Sequence, residues 1–222
     1  MTEHQPLSDE ETAAMFEPHG WDERYAGQEQ VFSGQPNVQL VAEAAGLTPG
    51  SALDVGCGEG GDVIWLARQG WTVTGADFSA AGLARAAQRA EQDGVADHVG
   101  WWQIDARVFT AGGRSYDLVT SHYLQPPDGG MTQVTRRLAD AVAPGGHLLI
   151  VGHAPMGSSA PLTAGQRAAM FYAKDLLPGL PDGFDVLAVE QRPRTLIRGG
   201  TTIHAADSTL LACRRHENGL HR

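Results

Sequence analysis

Short apolar runs alternate along the chain with longer stretches in which apolar residues recur every three or four positions. Five runs, Ser51 to Val55, Thr72 to Ala76, Trp101 to Asp105, Tyr116 to Ser121 and His147 to Val151, each end in polar or glycine residues. Their near-continuous apolar character predicts strands buried on both faces. Asn37–Ala45, Gly61–Gln69, Ser79–Asp93 and Met131–Ala143 predict helices. Ser79 is the expected N-cap of a helix that places Leu83, Ala87 and Ala90 on one side, and Gly94 is its breaker. Val134, Leu138 and Val142 repeat every four residues until Pro144-Gly145-Gly146 stops the pattern. Strand following helix following strand implies an α/β fold, with a mostly parallel sheet, right-handed crossovers and helices on both faces.

Beyond Val151 the pattern changes. Gly152 to Gly165 reads as a loop and Thr163 to Leu177 as a helix. The strand-like runs Phe184 to Glu190 and Ser208 to Cys213 have no helical pattern between them, which predicts an antiparallel hairpin closing one edge of a seven-stranded sheet. Ahead of the alternation, residues 1–36 form a polar, aromatic-dotted lead with Phe16, Trp21, Tyr25 and Phe32. The expected organisation is a lead and candidate lid over 1–36, one domain over 37–215 and a tail over 216–222.

Composition narrows the function. A length of 222 residues suits one domain with a sizeable core. A net charge of -10 argues against a broad nucleic-acid or acidic-membrane surface, because both need clustered cations. The two cysteines, Cys57 and Cys213, match neither a metal pattern nor a disulfide framework. With an acidic start from Met1 to Glu11 and no apolar run near membrane length, they favour a cytoplasmic protein.

The 28 glycines are mostly single punctuation marks, with one exception. Leu53-Asp54-Val55-Gly56-Cys57-Gly58-Glu59-Gly60-Gly61 closes the first strand and opens a helix, and Asp77 ends the next strand 21 residues after Gly56. Gly56, Gly58 and Gly61 satisfy G-x-G-x-x-G, with the acid placed for a ribose, which is the dinucleotide pattern. The charges oppose that reading. Asp54, Glu59 and Asp62 surround the loop with no Lys or Arg before Arg68, so a pyrophosphate would be repelled. S-adenosylmethionine shares the adenosine but carries a sulfonium and an ammonium in place of phosphates.

At these residues the chain resembles the class I S-adenosylmethionine-dependent methyltransferases, over roughly Trp21 to Arg214. The motif Leu-Asp-Val-Gly-Cys-Gly-Glu-Gly is followed by Val-Thr-Gly-Ala-Asp-Phe-Ser at the second strand end. Trp21-Asp22-Glu23-Arg24-Tyr25 and the Pro-Gly-Gly-His-Leu-Leu-Ile-Val-Gly-His segment resemble bacterial tellurite-resistance-type small-molecule methyltransferases. The resemblance implies a Rossmann-like doubly wound fold and S-adenosyl-L-methionine as cofactor. It implies that Gly56, Cys57, Gly58 and Gly60 line the cofactor, with Asp54 near its amino-acid end and Asp77 on the ribose. Phe78 would pack on adenine, Asp105 would accept from the adenine amino group and Ala106 would donate a backbone N–H. Ser121 falls in the substrate-side motif, which reads Ser-His-Tyr-Leu-Gln-Pro-Pro and lacks the Asn-Pro-Pro-Tyr-like pattern of nucleic-acid amine methylators.

His122 and His153 both fall at strand carboxyl ends, the functional rim of such a sheet, and are the candidate catalytic bases. Trp21, Tyr25 and Tyr123 are candidate substrate or lid residues. Cys57 reads as a small turn residue, since no histidine adjoins it. His147 and His153, six apart, lack the further ligands of a metal site, and no metal is expected. The expected function is methyl transfer to a small-molecule nucleophile: a thiol, chalcogen anion, phenol or amine. The competing readings are a nicotinamide-dependent oxidoreductase and a non-catalytic S-adenosylmethionine-binding regulatory protein.

Overall fold

A computed structural model describes residues 17–28, 30–126, 130–155, 164–198 and 201–216. Its strands are β1 (Ser51–Val55), β2 (Thr72–Asp77), β3 (Val99–Gln103), β4 (Tyr116–His122), β5 (Val142–His153), β6 (Phe184–Arg198) and β7 (Thr201–Arg214). They form one sheet in the order β3-β2-β1-β4-β5-β7-β6. The first five run parallel, and β7 is antiparallel to both β5 and β6. The described helices are α1 (Pro18–Gly27), α2 (Val38–Ala44), α3 (Gly61–Arg68), α4 (Ala80–Gln92), α5 (Met131–Asp140) and α6 (Ala164–Ala169), with 3-10 turns at Ala96–His98 and Ala173–Gly179.

Successive strand residues enter opposite cores, as the two-residue period of a strand requires. Leu53, Val119, Leu148 and Leu210 pack with Val134 and Leu138 of α5. Ala52, Leu118, Leu149 and Leu211 pack on the other side with Leu40, Val63, Leu66 and Leu83 from α2, α3 and α4. The sheet is therefore covered on both faces, as in a doubly wound α/β fold.

Several boundaries differ from the sequence pattern. β3 begins at Val99 and ends at Gln103, two residues ahead of the expected run, because Val99 to Gln103 pair with Val73 to Asp77. Asp105 then lies beyond the strand in a turn that its own carboxylate closes by accepting from Arg107 N–H at 2.8 Å. α5 stops at Asp140. Val142, which fits the helical repeat, instead opens β5 opposite Tyr116, with its carbonyl accepting from Arg214. On α4 the buried positions are Gly82, Leu83, Ala86 and Ala90, so Ala86 takes the place expected for Ala87. Ser79 caps that helix as expected, accepting from Gly82 N–H at 3.0 Å.

The helix expected over Thr163–Leu177 is divided between α6 and the turn at Ala173–Gly179, and Thr163 lies outside the described residues. Phe171 anchors the break. Its ring fills the space beside Gly152, where a Cβ would come within 2.3 Å, and its carbonyl accepts from Ser208 Oγ at 2.6 Å. The hairpin is longer than its apolar runs. β6 and β7 remain paired from Phe184↔Arg214 to Arg198↔Thr201, whereas β5 leaves β7 after His153↔Asp207, so the hairpin tip continues as a two-stranded ribbon beyond the sheet.

Candidate active site

β1 lies between β2 and β4, so the chain leaves its carboxyl end toward both halves of the sheet; this is the crevice where α/β sheets bind ligands. The glycine loop occupies it. Gly56, Gly58 and Gly60 have φ of +82°, +51° and +78°, a region open to glycine without steric cost. The N–H groups of Gly56 and Cys57 donate to the Ala76 carbonyl at 2.8 and 3.1 Å, which ties the loop to β2. A Cβ on Gly58 would meet Tyr25 Oη at 2.9 Å, and one on Gly60 would meet Ala86 at 2.9 Å.

Buried carboxylates flank the loop. Asp77 accepts from Gly58 N–H at 2.8 Å and from Ser79 N–H at 2.9 Å; burial raises its pKa despite these donors. Asp54 accepts from Thr120 Oγ1 at 2.8 Å, and burial, reinforced by the neighbouring Asp62, pushes its carboxyl up to about 7. Asp54, Thr120 and His122 share one sheet face, since Asp54 pairs with Thr120 and His122 follows two residues on.

His122 is buried and its Nδ1 lies 2.8 Å from Asp62 Oδ2. A carboxylate only accepts, so Nδ1 carries the proton and Nε2 keeps the lone pair of the neutral ring. Nε2 is buried without a partner among the described residues. Burial lowers the His122 pKa, but Asp62 and Asp54 outweigh it and the net shift is upward. Asp62 is fixed from its other oxygen, which accepts from Asn37 N–H at 2.6 Å at the start of α2. The sequence marks Asp62 as an acid near the loop; its partnership with a residue 60 positions later has no local signal.

A second polar cluster adjoins this dyad. Tyr123, the only described non-glycine residue with positive φ (+56°), donates from Oη to Asp207 at 3.1 Å and stacks on His153 at 4.5 Å. Arg194 reaches Asp207 at 3.2 Å, His153 Nδ1 at 3.2 Å and the face of Tyr123 at 5.0 Å. Gln39 donates to Asp207 at 3.3 Å. Arg194 and Asp207 are absent from the sequence-level candidates because only the hairpin ribbon carries them to the rim.

The lead covers the loop. Tyr25 is buried, and the Trp21 ring lies tilted against Tyr25 at 5.6 Å and against Phe32 at 5.9 Å. Phe16 lies outside the described residues. Asp22 accepts from Ser79 Oγ at 2.5 Å and Ala81 N–H at 3.2 Å, joining the lead to the start of α4. Glu59 accepts from Val31 and Phe32 N–H and pairs with Arg85 at 2.9 Å, while Arg89 donates to its carbonyl at 3.0 Å. The structure thus corrects the charge reading of this acid: Glu59 anchors the lead and is neutralised by Arg85.

The remaining candidates separate by position. Cys57 is buried, and burial holds its thiol well above the ordinary range. Phe78 is half-buried beside Asp77, and Ala106 lies within the core. Asp105 binds Arg107, which also holds Glu17 at 3.0 Å. Ser121 directs its hydroxyl to the Val55 carbonyl at 2.9 Å, away from the face that carries His122. His147 and His153 stand at positions of β5 about 20 Å apart, at about 3.3 Å per residue, too far to share an ion. Asp54, Asp62 and His122 each offer a ligand-type atom within 4.8 Å of the others, with His122 Nδ1 4.0 Å from Asp54 and 2.8 Å from Asp62. Residues 156–163 of the loop expected over Gly152 to Gly165 lie outside the described residues. No described helix is long and apolar enough to cross a membrane.

A doubly wound sheet with this strand order and a left-handed glycine cradle between two buried acids defines a class I S-adenosylmethionine-dependent methyltransferase. The comparisons agree. The family described as methyltransferase domain matches residues 52–146. The ubiquinone biosynthesis O-methyltransferase of Pectobacterium carotovorum is 30% identical over 185 residues, covering 82% of this chain and 70% of that protein. The chain belongs to the S-adenosylmethionine-dependent methyltransferases. Methyltransferase GfsG of Streptomyces halstedii is 34% identical over 122 residues, 53% of this chain, and the match spans only 43% of that protein. Among solved structures, one described as conversion of a disulfide bond into a thioacetal group during echinomycin biosynthesis superposes with TM-score 0.75 at 23% identity, covering 91% of this chain and 93% of that one. TehB from Haemophilus influenzae superposes with TM-score 0.65 at 17% identity, covering 89% and 67%. These two likenesses establish the fold alone.

Proposed function

We infer that the protein transfers a methyl group from S-adenosylmethionine to a small-molecule nucleophile, with residues 37–215 as the transferase domain and the lead as its cover. One observation carries this: three left-handed glycines lie between the buried carboxylates Asp54 and Asp77. The cradle fits a phosphate-free, cationic adenosine cofactor. Arg85 and Arg89, which approach the loop, are bound to Glu59 and to lead carbonyls. Bound there, S-adenosylmethionine supplies an electrophilic methyl group on a sulfonium.

In this reading Gly56, Cys57, Gly58 and Gly60 offer backbone to the cofactor, Asp54 holds its ammonium and Asp77 its ribose. Phe78, Asp105 and Ala106 border the adenine side, and Ser121 contributes backbone only. Trp21 and Tyr25 exclude water, which favours a weakly solvated nucleophile. His122 takes the acceptor's proton at Nε2, and Asp62 stabilises the imidazolium that results. Most of the acceleration comes from alignment, for which an effective gain of roughly 7–11 kcal/mol is available. The net charge of -10 and the O-methyltransferase likeness support a small acceptor over nucleic acid.

Calorimetric titration with S-adenosylhomocysteine and with NAD tests the cofactor, followed by turnover against phenols, alcohols, thiols and amines. Binding of S-adenosylhomocysteine with turnover of one class is the expected result. Binding of NAD alone would make the protein an oxidoreductase, and cofactor binding without any turnover would make it a regulatory binder.

A further inference from the structure

The two histidines at the rim are in opposite chemical states. An Arg guanidinium has donors and no acceptor. The 3.2 Å approach of Arg194 Nη2 to His153 Nδ1 therefore requires a lone pair on that nitrogen, and the ring proton lies on Nε2. His122 in its neutral form is the reverse: Asp62 fixes the proton on Nδ1 and leaves Nε2 as acceptor. The rings share a sheet face, because His122 pairs with Val151 and His153 follows two residues on. One strand spacing, about 5 Å, and two residue rises, about 6.6 Å, separate their positions.

The surroundings of His153 preserve its state on balance. Arg194 from β6 donates to it, and Tyr123 from the end of β4 covers its face. Asp207, opposite it on β7, is itself held by Arg194, Tyr123 and Gln39. Gln125 grips its backbone at N–H and carbonyl, 3.2 and 3.5 Å away. Burial and the Arg194 charge lower its pKa to about 4 against the opposing Asp207, so it stays neutral where an enzyme works.

We propose that His153 is a locked neutral hydrogen-bond donor, and that with the acceptor nitrogen of His122 it selects substrates whose reacting hydroxyl has a neighbouring oxygen, as in a catechol or vicinal diol. The reacting O–H faces His122 Nε2, and the neighbouring oxygen accepts from His153 Nε2–H. His153 is thus a positioning residue. This rests on the methyltransferase reading for its substrate but not for the state of the ring.

Side-chain nitrogen NMR on the cofactor-free protein reads that state. The expected result is an Nε2–H tautomer for His153 that remains unprotonated down to about pH 5, with Arg194→Met moving its midpoint upward. An Nδ1–H tautomer, or titration of the native ring between pH 6 and 7, overturns the proposal. Substrate selection is read by titrating catechol and phenol into protein saturated with S-adenosylhomocysteine. Catechol is expected to bind about five- to tenfold more tightly, the worth of one hydrogen bond, and His153→Phe to abolish the difference while leaving the pH dependence set by His122 in place. Equal behaviour of the two probes in the native protein, including failure of both to bind, overturns the selection. Failure of the methyltransferase reading is distinguished by the absence of S-adenosylhomocysteine binding alongside an unchanged NMR result.

Discussion

The imidazole of His122 and the carboxylate of Asp62 meet at 2.8 Å, although one ends β4 and the other begins α3. Asp62→Asn removes the charge that raises the His122 pKa and no longer stabilises the imidazolium. Turnover of a hydroxyl acceptor should fall by about 10²–10⁴. Activity rises as His122 loses its proton, so the acid limb of kcat/KM should also move to lower pH in this variant. A pH–rate profile of the two proteins checks both effects; an unmoved limb would remove His122 from the mechanism.

Asp54 makes the cofactor-free protein sensitive to pH in an unusual direction. Its folded carboxyl, at about 7, lies above the ordinary 3.8, so between these values the folded state keeps a proton that the unfolded chain has lost. Stability therefore falls as pH rises through this window. His122, raised above 6.5, extends the decline upward until its folded pKa is passed. The thermal midpoint should drop between pH 5 and 7.5 by about 2–4 °C for each kcal/mol lost. Asp54→Asn should flatten the slope, measured by scanning calorimetry. An ammonium bound beside Asp54 should expel its proton, seen as a buffer-dependent binding heat near pH 6.5.

Glycine substitutions separate the cradle from ordinary turns. At Gly58, φ of +51° and the 2.9 Å approach to Tyr25 Oη both oppose a side chain. Gly58→Ala should cost about 1–2 kcal/mol and weaken S-adenosylhomocysteine binding at least tenfold, by an order-of-magnitude estimate. Gly100 on β3 has nothing within 4 Å of its Cβ position. Gly100→Ala should be neutral or stabilising by about 0.4–1 kcal/mol, with binding intact. Denaturant midpoints and calorimetry distinguish the pair.

Glu59 decides whether the lead stays down. Its carboxylate holds the Val31 and Phe32 N–H groups and Arg85; Glu59→Ala frees the two N–H groups and leaves Arg85 with the Tyr25 and Gln28 carbonyls of the lead. Cleavage within residues 17–35 should quicken about tenfold or more, because local opening costs about 1.4 kcal/mol less for each factor of ten. Limited proteolysis followed by mass analysis reads the site and the rate. Unchanged cleavage would mean that the aromatic cluster alone holds the segment.

How far the sequence could be read followed from how local each determinant is. Ser51–Val55 has the bounds its apolar run predicts, since a central strand buried on both faces admits no other register. The spacing of Val142 from Val134 and Leu138 fits a helix, yet pairing with Tyr116 makes it a strand residue. β6 and β7 outran their apolar runs because ladder bonds to each other, rather than side-chain periodicity, extend them. In the site, the glycines and Asp77 were legible from one contiguous motif. The Asp62–His122 and Arg194–Asp207–Tyr123 contacts were not, because β4 and the hairpin bring them together from distant positions. In the sequence Glu59 stands as an unpaired acid; only the folded lead and α4 bring Arg85 to it.

The strand order also bears on biosynthesis. β7 is translated after β6 but lies between β5 and β6, so β6 has no place in the sheet until β7 arrives. During synthesis a five-stranded sheet ending at β5 can form first, with the backbone of Leu148 to His153 exposed as an unpaired edge. Such an edge is a template for intermolecular pairing. The nascent chain is most exposed to aggregation between emergence of β5 and emergence of β7, and the hairpin that completes the candidate site also closes that interval.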